Sequence, residues 1–311
     1  MSMEVKEVSC GAWGNCLRLS NGILEAVVTI DYGPRILSFR LLEGENVMFD
    51  DKARSICLSG EEMEARYGPG AVFYRRGGHF CTVAPERFPE SYFPDNSPVV
   101  YGIRPEGVSF TPPQGARDQV KLSFEIIMSE GASDIMVVHS LKNTSRERQK
   151  AAIWASTALR SGGVEVIPQN VVNVPVTAPN RILALWPGSS LLDPRLYPGE
   201  RYLTVRQDPA VQKDLIFGVN NVTGWAAYVL PDTTLVKRYV HEEQACYPNH
   251  DCSYRTHVNG AFAQLESFSP LYVLEPGEGI RHVENLSLFR TREGINPVDE
   301  DSVEHFLQVL R

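Results

Sequence analysis

The chain has 311 residues, 43% of them hydrophobic and 22% charged, enough apolar material for a substantial core. Its formal net charge is −8, and Lys and Arg are scattered, which excludes the clustered basic groove that nucleic acid needs. No apolar run reaches the roughly 18 residues of a membrane span, and the N-terminus has no signal-like apolar core, so a cytoplasmic protein with no membrane partner is expected.

The first strand signal is Ile23 to Ile30, β-branched and preceded by the turn-forming Asn21-Gly22. Asp31-Tyr32-Gly33-Pro34 breaks it before a second run, Arg35 to Leu42, and together they read as a hairpin. A short Glu-rich stretch, Ser59–Tyr67, has helical character. From Val120 onward short strand candidates follow one another, including Asp134–Leu141, Lys150–Leu159, Thr234–Val240, Tyr254–Val258, Ala261–Phe268 and Ile280–Phe289. Polar turns such as Lys142-Asn143-Thr144-Ser145 and Glu275-Pro276-Gly277-Glu278 separate them. The spacing of Val303, Phe306, Leu307 and Leu310 predicts an amphipathic helix over about 298–311, capped by Asp299 or Asp301. No linker or repeat divides the chain, so one all-β domain of stacked antiparallel sheets spanning 1–311 is expected.

Tyr74 to Val100 breaks the strand rhythm, being rich in Gly, Pro and aromatic residues. Loops of this length are usually functional or disordered, and five aromatic rings argue for order. Arg75, Arg76, His79, Glu86, Asp95 and Asn96 concentrate hydrogen-bonding groups beside those rings, the mixture a sugar requires. The plain alternative is a packed structural loop held by Arg–Asp pairs. His79 follows two glycines, whose bare backbone would let a ligand approach closely.

The stretch from Lys237 to Phe289 centres on Ala263-Gln264-Leu265-Glu266-Ser267-Phe268. Period-two alternation puts Phe262, Gln264, Glu266 and Phe268 on one face. A carboxylate held between aromatic neighbours and partly desolvated suits general acid or base work near neutrality. The plain alternative is that Glu266 pairs with a neighbouring Arg or Lys.

Several motifs in fixed order resemble the galactose mutarotase-like superfamily, in particular a branch of aldose 1-epimerase-like proteins. These are Asn21-Gly22, Gly33-Pro34-Arg35-Ile36, Gly77-Gly78-His79, Ala84-Pro85-Glu86, Pro94-Asp95-Asn96, Trp154-Ala155-Ser156-Thr157, Val236-Lys237-Arg238-Tyr239 and Leu265-Glu266. The resemblance covers most of residues 20–290 and implies a β-supersandwich that binds a sugar across one sheet. It implies Glu266 as the base on the anomeric hydroxyl and a histidine that protonates the ring oxygen. Family members carry that histidine after the threonine of the middle strand, whereas Thr157 is followed by Ala158-Leu159-Arg160. His79 is therefore the expected acid. Arg35, Arg76, Glu86, Asp95, Asn96, Trp154, Lys237 and Tyr239 are the expected sugar contacts.

His139 lies in an apolar run and reads as a hydrogen-bonded core residue. His241, His250 and His257 cluster around Cys246 and Cys252 without matching a ligand spacing, so no metal and no cofactor are expected. The six cysteines form no Cys-x-x-Cys pair and are expected as free thiols. The expected function is interconversion of the anomers of a free or modified sugar. A non-catalytic carbohydrate-binding protein is the alternative, and a glycan lyase or hydrolase accessory domain a further one.

Overall fold

The structure, a computed structural model, describes residues 3–112, 119–171 and 179–310. Two large antiparallel sheets lie face to face. Among the described residues the first has eleven strands, four of which, adjacent and in order across the sheet, are His79–Ala84, Gln149–Arg160, Phe262–Phe268 and Tyr254–Val258. The hairpin Leu24–Thr29 with Ile36–Leu41 continues it on one side, and Leu215–Val219 and Leu183–Leu185 on the other. The second sheet has ten strands among the described residues, and Thr233–Tyr239, Gly279–Arg290, Asp134–Asn143 and Val120–Ile127 lie side by side in it.

The all-β expectation holds, and the supersandwich has a reason in the alternation of its strands. One core cluster draws on both sheets, joining Leu159, Leu265, Tyr254 and Phe217 to Val137, Leu235, Leu286 and Tyr228. Yet Phe262–Phe268 is buried at every position, so its other face is roofed as well. Part of that roof is the segment carrying Tyr247, which packs on Trp154 and Phe268. A strand covered on both sides shows weak alternation of polarity, because neither face is left to water.

The C-terminal helix spans Glu300–Val309 and Asp299 caps it, accepting hydrogen bonds from the Asp301 and Ser302 amides. Val303 and Phe306 pack on Val166, Ala227, Val229 and Val236, the outer face of the second sheet. The Glu-rich stretch forms a helix over Glu61–Tyr67. Among the described residues no helix is long and apolar enough to cross a membrane.

The largest departure from expectation is at His79–Ala84. Taken as loop, it is an interior strand of the first sheet, with all six residues from His79 to Ala84 facing residues of Gln149–Arg160. The glycines before it serve the backbone instead of a ligand. A Cβ on Gly77 would stand 2.2 Å from the Phe49 carbonyl oxygen, and one on Gly78 would stand 2.3 Å from that of Ile36. Both take positive φ, +90° and +67°. Chain packed that closely against its neighbours admits no side chain there.

Candidate functional site

Directly opposed residues in an antiparallel pair share a face. Ser156 lies opposite both Phe80 and Glu266, and Glu266 lies opposite Arg255. Phe80, Trp154, Ser156, Gln264, Glu266, Arg255 and His257 therefore occupy the outer face of the first sheet. Thr157 lies opposite His79 and Leu265, so His79, Thr157, Leu265 and Ser267 occupy the inner face, against the second sheet.

On the outer face Glu266 is fully buried and ion-paired, the alternative the sequence left open. The Trp154 indole N–H donates to its Oε1 at 3.0 Å, and Arg255 Nε donates to Oε2. Arg255 Nη1 donates to Glu86 Oε2 at 2.6 Å, so one guanidinium bridges two carboxylates. Its Cζ sits 4.3 Å from the Trp154 ring centroid and 5.2 Å from that of Trp186. Burial opposes the Arg255 charge, but Glu266 and Glu86 outweigh it and raise its pKa. Burial likewise pushes Glu86 up, yet Arg255 and the Tyr92 hydroxyl prevail and hold it below the ordinary value. Arg75 Nη1 donates to Gln264 Oε1 at 2.7 Å, and Gln264 in turn donates to Ser156. Among the described residues Arg75 has no carboxylate within ion-pair distance, and burial lowers its pKa. Trp186 and Arg75 are half-buried and Glu86 is exposed, so the rim of this cluster reaches solvent.

Arg35, Arg76, Asp95 and Asn96 form a neighbouring set that fastens the loops. Arg35 donates to Asp95 at 2.9 Å and to the Arg75 carbonyl at 3.1 Å, and its guanidinium stacks 4.0 Å from the Phe80 centroid. Arg76 lies 3.7 Å over Tyr32 and donates to Asn96. Arg35, Phe80, Phe93 and Asp95 line a cleft of about 50 Å³, and a second cleft of about 110 Å³ between Tyr67, Pro85, Phe93 and Lys150 adjoins it.

Three expected site residues are elsewhere. His79 is fully buried between the sheets with its Nδ1 2.9 Å from Thr157 Oγ1, and desolvation drives its pKa well below the usual value. It shares no face with Glu266, so the expected acid–base pair does not form. The cause is the misread strand: alternation along His79–Ala84 turns Phe80, not His79, to the outer face. Lys237 is also sealed inside, donating to Glu284 at 2.7 Å, to the Leu265 and Ala155 carbonyls at 3.1 and 3.2 Å, and to Thr157. Tyr239 stacks on Tyr254 at 6.2 Å within the inter-sheet core. The imidazole that does share the Glu266 face is His257, opposite Gln264 and held 2.8 Å from Asp214.

Arg255, Trp186 and His257 were missed, and Arg75, singled out among the hydrogen-bonding groups of its loop, was not among the expected sugar contacts. Arg255 and His257 were within reach, because the turn at Asn259-Gly260 joins two legible strands and sets Arg255 opposite Glu266. Arg75 and Trp186 come from distant segments that no local pattern connects to Glu266.

No protein-family model matches the sequence, and no curated protein does. Solved structures match its fold with low sequence identity. A galactose mutarotase-like protein from Lactobacillus casei is 12% identical with a TM-score of 0.59, covering 88% of this chain and 100% of that one. A putative mutarotase from Salmonella typhimurium is 10% identical with a TM-score of 0.55, covering 93% of this chain and 94% of that one. A putative aldose 1-epimerase from Escherichia coli is 12% identical with a TM-score of 0.50, covering 93% and 100%. The chain thus has the fold of the galactose mutarotase-like proteins.

Proposed function

We propose that the chain binds a sugar at the outer face of its first sheet. The observation that carries this is the Arg255 guanidinium packed against Trp154 and Trp186 while bridging Glu86 and Glu266. Rings offer surface to the C–H faces of a pyranose, and charged bidentate groups match its hydroxyls. Glu86, Arg75 and Trp186 form the accessible rim, and sugar hydroxyls replace the Glu86–Arg255 contact. Glu266 is then the carboxylate reached beneath. Binding without turnover is the reading the geometry favours, since the ion pair ties up Glu266 and Asp214 holds His257.

Aldose 1-epimerase chemistry is the second reading. It draws on the outward placement of Glu266 and on the mutarotase and epimerase names of the fold neighbours. In it Glu266 takes the anomeric proton, and His257, diagonal to it in register, is the acid in place of His79. Saturation-transfer NMR over free aldoses, uronic acids and sugar phosphates tests the first reading: transfer that disappears in the Trp186→Ala and Arg255→Ala variants supports it. Lack of transfer to every sugar in that series overturns it. Exchange spectroscopy on the same samples tests the second, which needs faster interconversion of anomers that Glu266→Gln abolishes.

A further inference from the structure

The inter-sheet core holds a polar cluster that the sugar site does not use. His79, from the first sheet, meets His139 and Glu284, from adjacent strands of the second. All three are fully buried. His79 Nε2 stands 3.2 Å from His139 Nε2; Glu284 Oε2 lies 3.1 Å from His139 Nε2 and 3.6 Å from His79 Nε2. The point equidistant from three atoms so spaced is about 1.9 Å from each, close to the zinc–nitrogen and zinc–oxygen bond lengths of about 2.0–2.2 Å.

Hydrogen bonding alone serves this triangle poorly. If both histidines carried their Nε2 protons, the two N–H groups would collide. If only His139 did, its one proton would be shared between Glu284 and His79, which would themselves face each other as lone pairs at 3.6 Å. A cation at the centre turns all three lone pairs into ligands. Surrounding groups orient two of the three, at His79 and Glu284. Thr157 Oγ1 stands 2.9 Å from His79 Nδ1, placed to accept that nitrogen's proton and leave Nε2 its lone pair. Lys237 and Ser267 both hold Glu284 Oε1, which leaves Oε2 for the centre.

We propose that His79, His139 and Glu284 bind a divalent transition-metal ion, zinc by preference, that clamps the two sheets together. Two imidazole nitrogens and one carboxylate oxygen form a borderline donor set suited to zinc. With every ligand sealed from solvent, the ion enters during folding and serves structure. The rival occupant is a proton shared along the same edges, and Lys237 favours it by already supplying one positive charge to Glu284.

Metal analysis by plasma mass spectrometry on the full chain separates the two. The protein is measured as purified, and again after unfolding in guanidinium with a chelator and refolding with or without ZnCl₂. The expected result is about one equivalent of metal as purified, a lowered Tm when refolded without metal, and recovery of both with zinc. His282 bonds Ser267 outside the triangle, so His282→Gln retains the ion whereas His139→Gln loses it. If His139→Gln does not fold, wild-type protein refolded with Co²⁺ serves instead, and visible ligand-field bands report coordination. Less than about a tenth of an equivalent both as purified and after refolding with ZnCl₂, with Tm unmoved by zinc, overturns the proposal in favour of the proton.

Discussion

The two faces of the Gln149–Arg160 and Phe262–Phe268 strands carry equally polar side chains to opposite ends. On the outer face, Trp154 and Glu266 connect through Arg255 to an exposed Glu86, and Gln264 bonds the half-buried Arg75. On the inner face, Thr157 and Ser267 connect to Lys237, His282 and Glu284, and nothing in that set reaches solvent. Polarity alone therefore does not mark a binding site in this fold. A path to solvent, and groups whose bonds a ligand can replace, distinguish the outer cluster from the inner one.

The sharpest way to break this contrast is to remove one inner charge. Lys237→Ala strips Glu284 Oε1 and the Ala155 and Leu265 carbonyls of their shared buried donor and is expected to cost about 3–5 kcal/mol in urea unfolding. A loss below about 1 kcal/mol, the scale of an exposed ion pair, would mean that the inner network is not what holds the sheets. On the outer face the expected effect moves from stability to affinity. Trp186→Ala should weaken sugar binding about tenfold or more, near 1.4 kcal/mol, while Tm changes little. Calorimetric titration alongside thermal unfolding reads both quantities.

The inner face also carries a pH signature. Burial pushes Glu165 up to about 8, although Tyr254 and Thr256 donate to it at 2.6 and 2.8 Å. An unfolded carboxyl titrates near 4.5, so between about pH 4.5 and 8 the folded chain keeps a proton that the unfolded chain has released. Stability attributable to this group falls as pH rises through that window, by up to about 1.4 kcal/mol per pH unit. Glu165→Gln should flatten the decline in Tm measured from pH 5 to pH 8, and an unchanged slope would refute the assignment. The smallest effect belongs to an exposed pair. Arg148→Ala removes a contact with Glu275 in which both side chains are half or more exposed, and should shift stability by less than about 1 kcal/mol.

Much of the fold was legible because turns carry chemistry. Asn21-Gly22 and Asn259-Gly260 sit where hairpins close, and Asp299 caps the helix that the Val303–Phe306 spacing announces, whereas Glu275-Pro276-Gly277, expected in a hairpin, carries the chain from a strand paired with Gln149–Arg160 into the second sheet. The face of Glu266 was legible from alternation alone. His79–Ala84 was not, because glycines and a proline flank it and the strand lies in the sheet interior, where neither side is simply wet. That one misreading moved His79 to the wrong face and paired it with Glu266. The Glu86–Arg255 bridge spans 169 residues, a distance over which no periodicity carries information. Lys237 and Glu284 sit in strands of mixed polarity where the pattern gives no sign that their charges meet across neighbouring strands.

The central claim is that the ligand face is the outer one, around Arg255. Crystals soaked with a sugar selected by saturation transfer test it directly. The account predicts density against Trp186 and Arg255 with a hydroxyl on Glu86 or Glu266. Density confined to the cleft between Tyr67 and Phe93, with the Arg255 bridge intact and bare, would contradict it.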